Sequence, residues 1–80
     1  MTMKRILVEG MWDDEADAVH LQFRPQPPAS VVANVVVEDR RLGGTVVLDL
    51  DAAGRVTGFE IVGANDLLGH DELLALASAR

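Results

Sequence analysis

Thr45-Val46-Val47-Leu48-Asp49-Leu50-Asp51-Ala52-Ala53-Gly54-Arg55-Val56-Thr57-Gly58-Phe59-Glu60-Ile61 is the stretch whose reading decides the fold. Two runs rich in Val, Leu, Phe and Ile flank Asp51-Ala52-Ala53-Gly54, the signature of a β-hairpin in which Gly54 takes the left-handed conformation closing a type I turn with a bulge. With Ala52, Ala53 and Gly54 as the loop, the expected pairs are Asp51 with Arg55, Asp49 with Thr57, Val47 with Phe59 and Thr45 with Ile61. The opposite face then carries Val46, Leu48, Leu50, Val56, Gly58, Glu60 and Val62, apolar except for Glu60. The first face is charged near the turn and apolar at Val47, Phe59 and Ile61. Both faces therefore ask for cover. One short helix is too small to supply it, so a second subunit is expected.

Outward from the hairpin, alternation places a first strand over Arg5 to Trp12 and a second over Asp17 to Arg24, where Val19, Leu21 and Phe23 share one face. The acidic run Asp13 to Asp17 separates them as a turn. Pro25, Pro27 and Pro28 cannot donate ladder hydrogen bonds, so the chain leaves the sheet between Arg24 and Ser30 in a stiff, extended connection. Val31 to Glu38 reads as a third strand with valines on both faces, which calls for burial on both sides or an edge paired to another subunit. After Gly63-Ala64-Asn65 the Leu- and Ala-rich segment Asp66 to Arg80 predicts a short helix, interrupted at Gly69, with Asp71 capping its last part. The expected architecture is a single α+β domain over residues 1–80. It is a small, mainly antiparallel sheet of about five strands built on β-hairpins, with a short C-terminal helix.

A chain of 80 residues buries only about 60–65% of the surface its unfolded state exposes. There is no cysteine to staple so small a core, and the two histidines lie too far apart in sequence for a zinc framework, which again favours oligomerisation. Hydrophobic residues at 49% and charged residues at 25% give a globular rather than a disordered balance. No apolar run reaches the ~20 residues that span a bilayer, and Met1 to Arg5 is not followed by a signal-peptide pattern. A cytoplasmic location off the membrane is expected. A net charge of -6, with Lys and Arg scattered, argues against nucleic acid and is compatible with a basic protein partner.

The chemical inventory is thin. Glu60 is the one residue oddly placed, since a carboxylate unpaired on an apolar face would be pushed up in pKa and could act as a general acid or base. More often such a residue bonds a backbone group or sits near an edge. Gly58, opposite Leu48, leaves room there for another side chain or backbone to approach, although a strand glycine is commonly a bulge or packing concession. Asp13, Asp14, Glu15 and Asp17 offer oxygen ligands without the spacing or glycine of a calcium loop, and Asp49 to Gly54 matches such a loop only in part. His20 falls on the polar face of the second strand with no assignable partner. Ser30 and Ser78 lack a nucleophile elbow, and Gly43-Gly44 is followed by a strand rather than by an anion-binding helix. No cofactor or metal is expected, and the inventory argues against an enzyme.

Trp12-Asp13-Asp14-Glu15-Ala16-Asp17-Ala18-Val19-His20-Leu21, followed by Val46 to Ile61, resembles the small prokaryotic family catalogued as domain of unknown function 2283. Its pattern runs Tyr-Asp-Pro-Glu-Ala-Asp-Ala-Leu-Tyr-Ile and then Val-Asp-Leu-Asp-x-x-Gly-x-Val-x-Gly-Ile-Glu-Ile. Here Trp12, Asp14 and His20 replace its first tyrosine, its proline and its second tyrosine. The resemblance implies a small strand-rich protein, with an antitoxin-type partner role in part of the family and no assigned catalytic residue. It puts Asp13, Asp17, Asp49, Gly54, Gly58 and Glu60 at motif positions.

Three functional expectations follow. The first is a non-catalytic, homodimeric protein-interaction module whose interface draws on Val35, Val37, Val47, Phe59, Ile61, Leu73 and Leu74. The second is an antitoxin-like neutraliser of a small basic toxin. The third is a metal-dependent or acid/base enzyme in which Glu60 meets Asp13 or Asp17, with Gly58 giving access.

Overall fold

A computed structural model of the chain describes residues 2–23 and 30–78. The Arg24 to Ala29 part of the expected connection lies outside the described residues. Five strands, β1 (Glu9–Asp13), β2 (Ala18–Gln22), β3 (Ala33–Val37), β4 (Thr45–Leu50) and β5 (Val56–Val62), precede α1 (Ala64–Leu68) and α2 (His70–Ser78). The strands form one fully antiparallel sheet in the order β1-β2-β5-β4-β3. The fold is α+β, as the hairpin pattern predicts.

The β4–β5 turn follows the sequence: Asp51 N–H donates to the Arg55 carbonyl at 3.0 Å, Gly54 N–H returns to the Asp51 carbonyl, and Gly54 has φ +77°. The pairing beyond it does not. Leu50 opposes Val56, but Asp49 then opposes Gly58, Leu48 opposes Phe59, Val47 opposes Glu60 and Val46 opposes Ile61. Thr57 is the extra residue of a β-bulge, buried, with its hydroxyl toward the Asp49 carbonyl at 3.4 Å. Because side chains alternate with period two, one inserted residue moves everything beyond it to the other face. Val47 therefore shares its face with Glu60, and Phe59 and Ile61 join Val46 and Leu48.

The opposite edge of β5 stays regular against β2, pairing Gln22 with Gly58 and His20 with Glu60. Gly58 is the point where the bulged strand and β2 come closest: a Cβ there would collide with the Leu21 carbonyl oxygen and lie 3.2 Å from the Gln22 Cα. Only glycine fits.

The sheet thus has two unlike faces. One carries Trp12, Val19, Leu21, Phe59, Ile61, Val46, Leu48, Val35 and Val37, and the helices lie on it. Val19, Ala64 and Leu73 form the buried cluster, with Trp12, Leu21, Ile61 and Leu68 packed around it. Those residues come from β1, β2, β5 and the helices. The β3–β4 half of the same face lies outside the cluster, with Val35 and Val37 exposed. The other face presents Met11, His20, Glu60, Val47 and Val36 in one row across the five strands and Glu9, Gln22, Gly58, Asp49 and Asn34 in the next.

Element boundaries differ from expectation: β2 spans Ala18–Gln22 rather than Asp17 to Arg24, and β3 spans Ala33–Val37 rather than Val31 to Glu38. β1 begins at Glu9 rather than Arg5, because Glu9 already pairs with Gln22, the last residue of β2. The helical segment starts earlier, at Ala64, and is two helices separated by Gly69. Asp71 lies inside the first turn of α2 instead of capping it, where its charge still suits the positive end of the helix.

Gly58→Ala is expected to lower stability by about 1–3 kcal/mol, since backbone rather than a yielding side chain blocks the methyl group. Urea unfolding measures this, and an unchanged midpoint would mean that the bulge does not press Gly58 against β2.

Candidate functional site

The motif carboxylates fall into two groups. Asp13 serves its own turn: its Oδ1 accepts from the Glu15 and Ala16 N–H groups at 3.1 Å each. Asp17 closes the same turn in the left-handed conformation, φ +52°, which aspartate tolerates better than most side chains. From there it holds the first helix. Its carbonyl accepts from Gly63 and Ala64 N–H at 2.9 and 3.0 Å, and its Oδ1 accepts from Asn65 N–H and Nδ2 at 2.9 and 2.7 Å. Since Asn65 Nδ2 donates to Asp17, its Oδ1 is the acceptor facing His70 Nδ1 at 2.8 Å, which makes that ring nitrogen the donor. The His70 ring in turn meets Trp12 edge-on, centroids 6.0 Å apart. A polar chain from Asp17 through Asn65 to His70 thus ties the β1–β2 turn to both helices.

Glu60 sits elsewhere. The bulge removes it from the apolar face and sets it opposite His20, with His20 Nε2 3.2 Å from Glu60 Oε2 and both side chains partly exposed. His20 therefore has an acidic partner that β2 alone does not reveal. The isolated, buried carboxylate expected at Glu60 is not found. Because β2 pairs on one side with β1 and on the other with β5, the dyad lies in the interior of the sheet, beside Met11 and Val47.

Next to the dyad lies a shallow depression of about 280 Å³, lined by Glu9, Met11, His20, Gln22 and Asp49. The register puts Gly58 between Gln22 and Asp49, so no side chain rises there. Asp49 Oδ1 accepts from Asn34 Nδ2 at 2.7 Å. A small-molecule site is ordinarily larger, of order 300–1,000 Å³, and mostly apolar. Among the described residues no three His, Asp or Glu side chains converge as a metal would require. Asp13 and Asp17 are spent on the turn and on α1, so the expected meeting of Glu60 with either does not form.

At the far end of the sheet, the Arg41 guanidinium donates to Asp39 at 2.8 and 2.9 Å. That hydrogen bonding holds the Asp39 carboxyl below its usual value and raises Arg41 correspondingly. Both belong to the solvent-facing β3–β4 connection and touch none of the groups above.

The interface candidates divide by face. Val35, Val37, Phe59 and Ile61 lie on the helix-bearing face, Val47 on the other. Leu73 is only 2% exposed and belongs to the chain's own core, whereas Leu74 points away from it. Phe59 is half-covered and meets Phe23 edge-on at 6.2 Å. What the sequence reading missed is the His20–Glu60 pair. The pair depends on the bulge at Thr57, which is set by the close approach of Gly58 to β2 and not by the local sequence.

A small open antiparallel sheet, bulged in β5 and clamped to two short helices through Asp17 and Asn65, defines the class. The chain belongs to the family described as "Protein of unknown function (DUF2283)", whose model matches residues 11–65. The matched span runs from β1 to Asn65, so it holds the bulge and both ends of the Asp17–Asn65 clamp. No curated protein and no solved structure matches the chain.

Two substitutions separate these roles. Asp17→Ala should cost about 1–3 kcal/mol, because the Asn65 donors lose their acceptor and alanine is strained at positive φ, while Asp17→Asn should retain most of the stability. Glu60→Gln should change stability by less than about 1 kcal/mol, as befits a partly exposed ion pair. Chemical denaturation of the variants reads both, and a loss of several kcal/mol at Glu60→Gln would mean that this carboxylate is structural.

Proposed function

We propose that the protein is a non-catalytic interaction module that works as a homodimer. The observation that carries the reading is the uncovered half of the helix-bearing face. The helices reach β1, β2 and β5, while Val35 and Val37 stay exposed beside half-buried Val46 and Leu48. The chain exposes 6406 Å², against about 4,700 Å² for a folded monomer of its mass. The 2–8 arm and the open half of the sheet both contribute to that excess.

A catalytic reading draws less support. The His20–Glu60 dyad faces a shallow, polar depression without a nucleophile, and Asp13 and Asp17 already have structural duties. No helix among the described residues is long and apolar enough to cross a membrane.

Light scattering on the purified chain tests this reading. The expected result is a mass twice the 8.6 kDa of the chain, retained on dilution into the micromolar range. A monomer at all concentrations up to about 1 mM would remove the proposal, since that corresponds to less than about 4 kcal/mol of association.

A further inference from the structure

The geometry points to the free edge of β3 as the seat of a second copy of this chain, the two β3 strands pairing antiparallel about a twofold axis through Val35. This rests on the homodimer reading and specifies its interface. β3 is the terminal strand of the sheet, and all five of its residues, Ala33-Asn34-Val35-Val36-Val37, are exposed, Val36 by 56% and Val35 by 43%. Soluble proteins guard such edges with charges, proline or a bulge. Ala33 to Val37 contains neither charge nor proline, and its five residues pair with β4 without a break.

The backbone of β3 is oriented for this pairing. The Leu50 carbonyl accepts from Val32 N–H at 3.0 Å, so Leu50 turns its hydrogen-bonding groups toward β3. By alternation Leu48 and Val46 do the same, and their partners Ala33, Val35 and Val37 spend their backbone groups on β4. Asn34 and Val36 consequently point N–H and C=O outward. A twofold axis at Val35 sets Asn34 against the partner's Val36, so that these outward groups bond reciprocally. Val35 then faces the partner's Val35, and Ala33 faces the partner's Val37.

No like charges meet in that register. The other edge is less suitable: the same operation on β1, centred on Met11, sets Glu9 against the partner's Asp13, a destabilising like-charge pair. Pairing through β3 also joins the two sheets into one and brings the uncovered Val35 and Val37 of both copies side by side on the helix-bearing face.

Crosslinking and edge blocking test the assignment together. The chain has no cysteine, so Val35→Cys introduces a single thiol. Opposed residues of a non-hydrogen-bonded antiparallel pair lie about 4.5 Å apart between Cα atoms, within the roughly 4.4–6.8 Å that a disulfide spans. Asn34 and the partner's Asn34 are offset along the strands to about 8 Å, too far to bridge. Mild oxidation is expected to convert most Val35→Cys protein, and little Asn34→Cys protein, into a covalent dimer. Val36→Pro removes an outward N–H without removing a bond to β4. It should weaken the dimer at least tenfold with the circular dichroism of the sheet retained, and Val36→Lys, which places a charge at the edge, should do the same should the proline variant fail to fold. Met11→Lys on the opposite edge should leave dimerisation unchanged. A wild-type dimer with no Val35→Cys crosslink and with undiminished affinity in Val36→Lys would overturn the β3 assignment and leave the homodimer standing. A monomeric wild type would remove both.

Discussion

One inserted residue, Thr57, governs what each side of this sheet is for. Strands keep strict alternation, so the bulge reverses the facing of Phe59, Glu60 and Ile61 relative to β4. Phe59 and Ile61 are thereby delivered to the side where the helices lie, and Glu60 is delivered to the polar side opposite His20. Without the insertion the central hairpin would divide its large apolar side chains between two faces, and neither face would be apolar enough to hold the helices. Gly58 makes the insertion possible, because the bulged strand passes too close to the Leu21 carbonyl for any side chain. The packing of the core and the exposure of the only carboxylate that looked chemically odd thus share one geometric cause.

The second constraint is polar. Asp17 holds the start of α1 with its carbonyl and its carboxylate, Asn65 passes the connection to His70, and His70 lies against Trp12. This fixes the helices over β1, β2 and β5. The core they enclose is small, with Val19, Ala64 and Leu73 at its centre. A helix pair pinned to one half of a sheet cannot cover the other half. The exposed β3–β4 half is therefore a consequence of where the clamp sits.

Much of the fold was legible in the chain. Alternation located all five strands, Gly54 located the turn, and Gly69 the break between helices. What escaped was register. The bulge depends on how Gly58 meets β2, a strand nearly forty residues earlier, and no local pattern encodes that contact. Alternation carries the difference onward: an unbulged ladder puts Glu60 on the apolar face and leaves His20 without its partner. In sequence Asp17 reads as part of an acidic loop with ligand potential, because its bonding partner Asn65 lies 48 residues further along the chain, just past the end of the neighbouring strand β5. Leu73 and Leu74 read alike in sequence, because a short helix near a large sheet gives no sign of which leucine turns inward; Leu73 is the one in the core. Of the positions the family resemblance singles out, Asp13 and Gly54 serve turns, Gly58 the bulge and Asp17 the clamp on the first helix.

Edge strands are where a sheet of this kind is open to a partner, and β3 is the edge without charge or proline. The amide groups of Asn34 and Val36 report directly on whether a partner is there. Hydrogen exchange resolved to single amides, followed from millimolar to low micromolar protein, is the decisive measurement. Slow exchange at both amides that becomes fast on dilution, while Val35 and Val37 remain protected by β4, is the predicted result. Fast exchange of Asn34 and Val36 at every concentration would contradict pairing at β3.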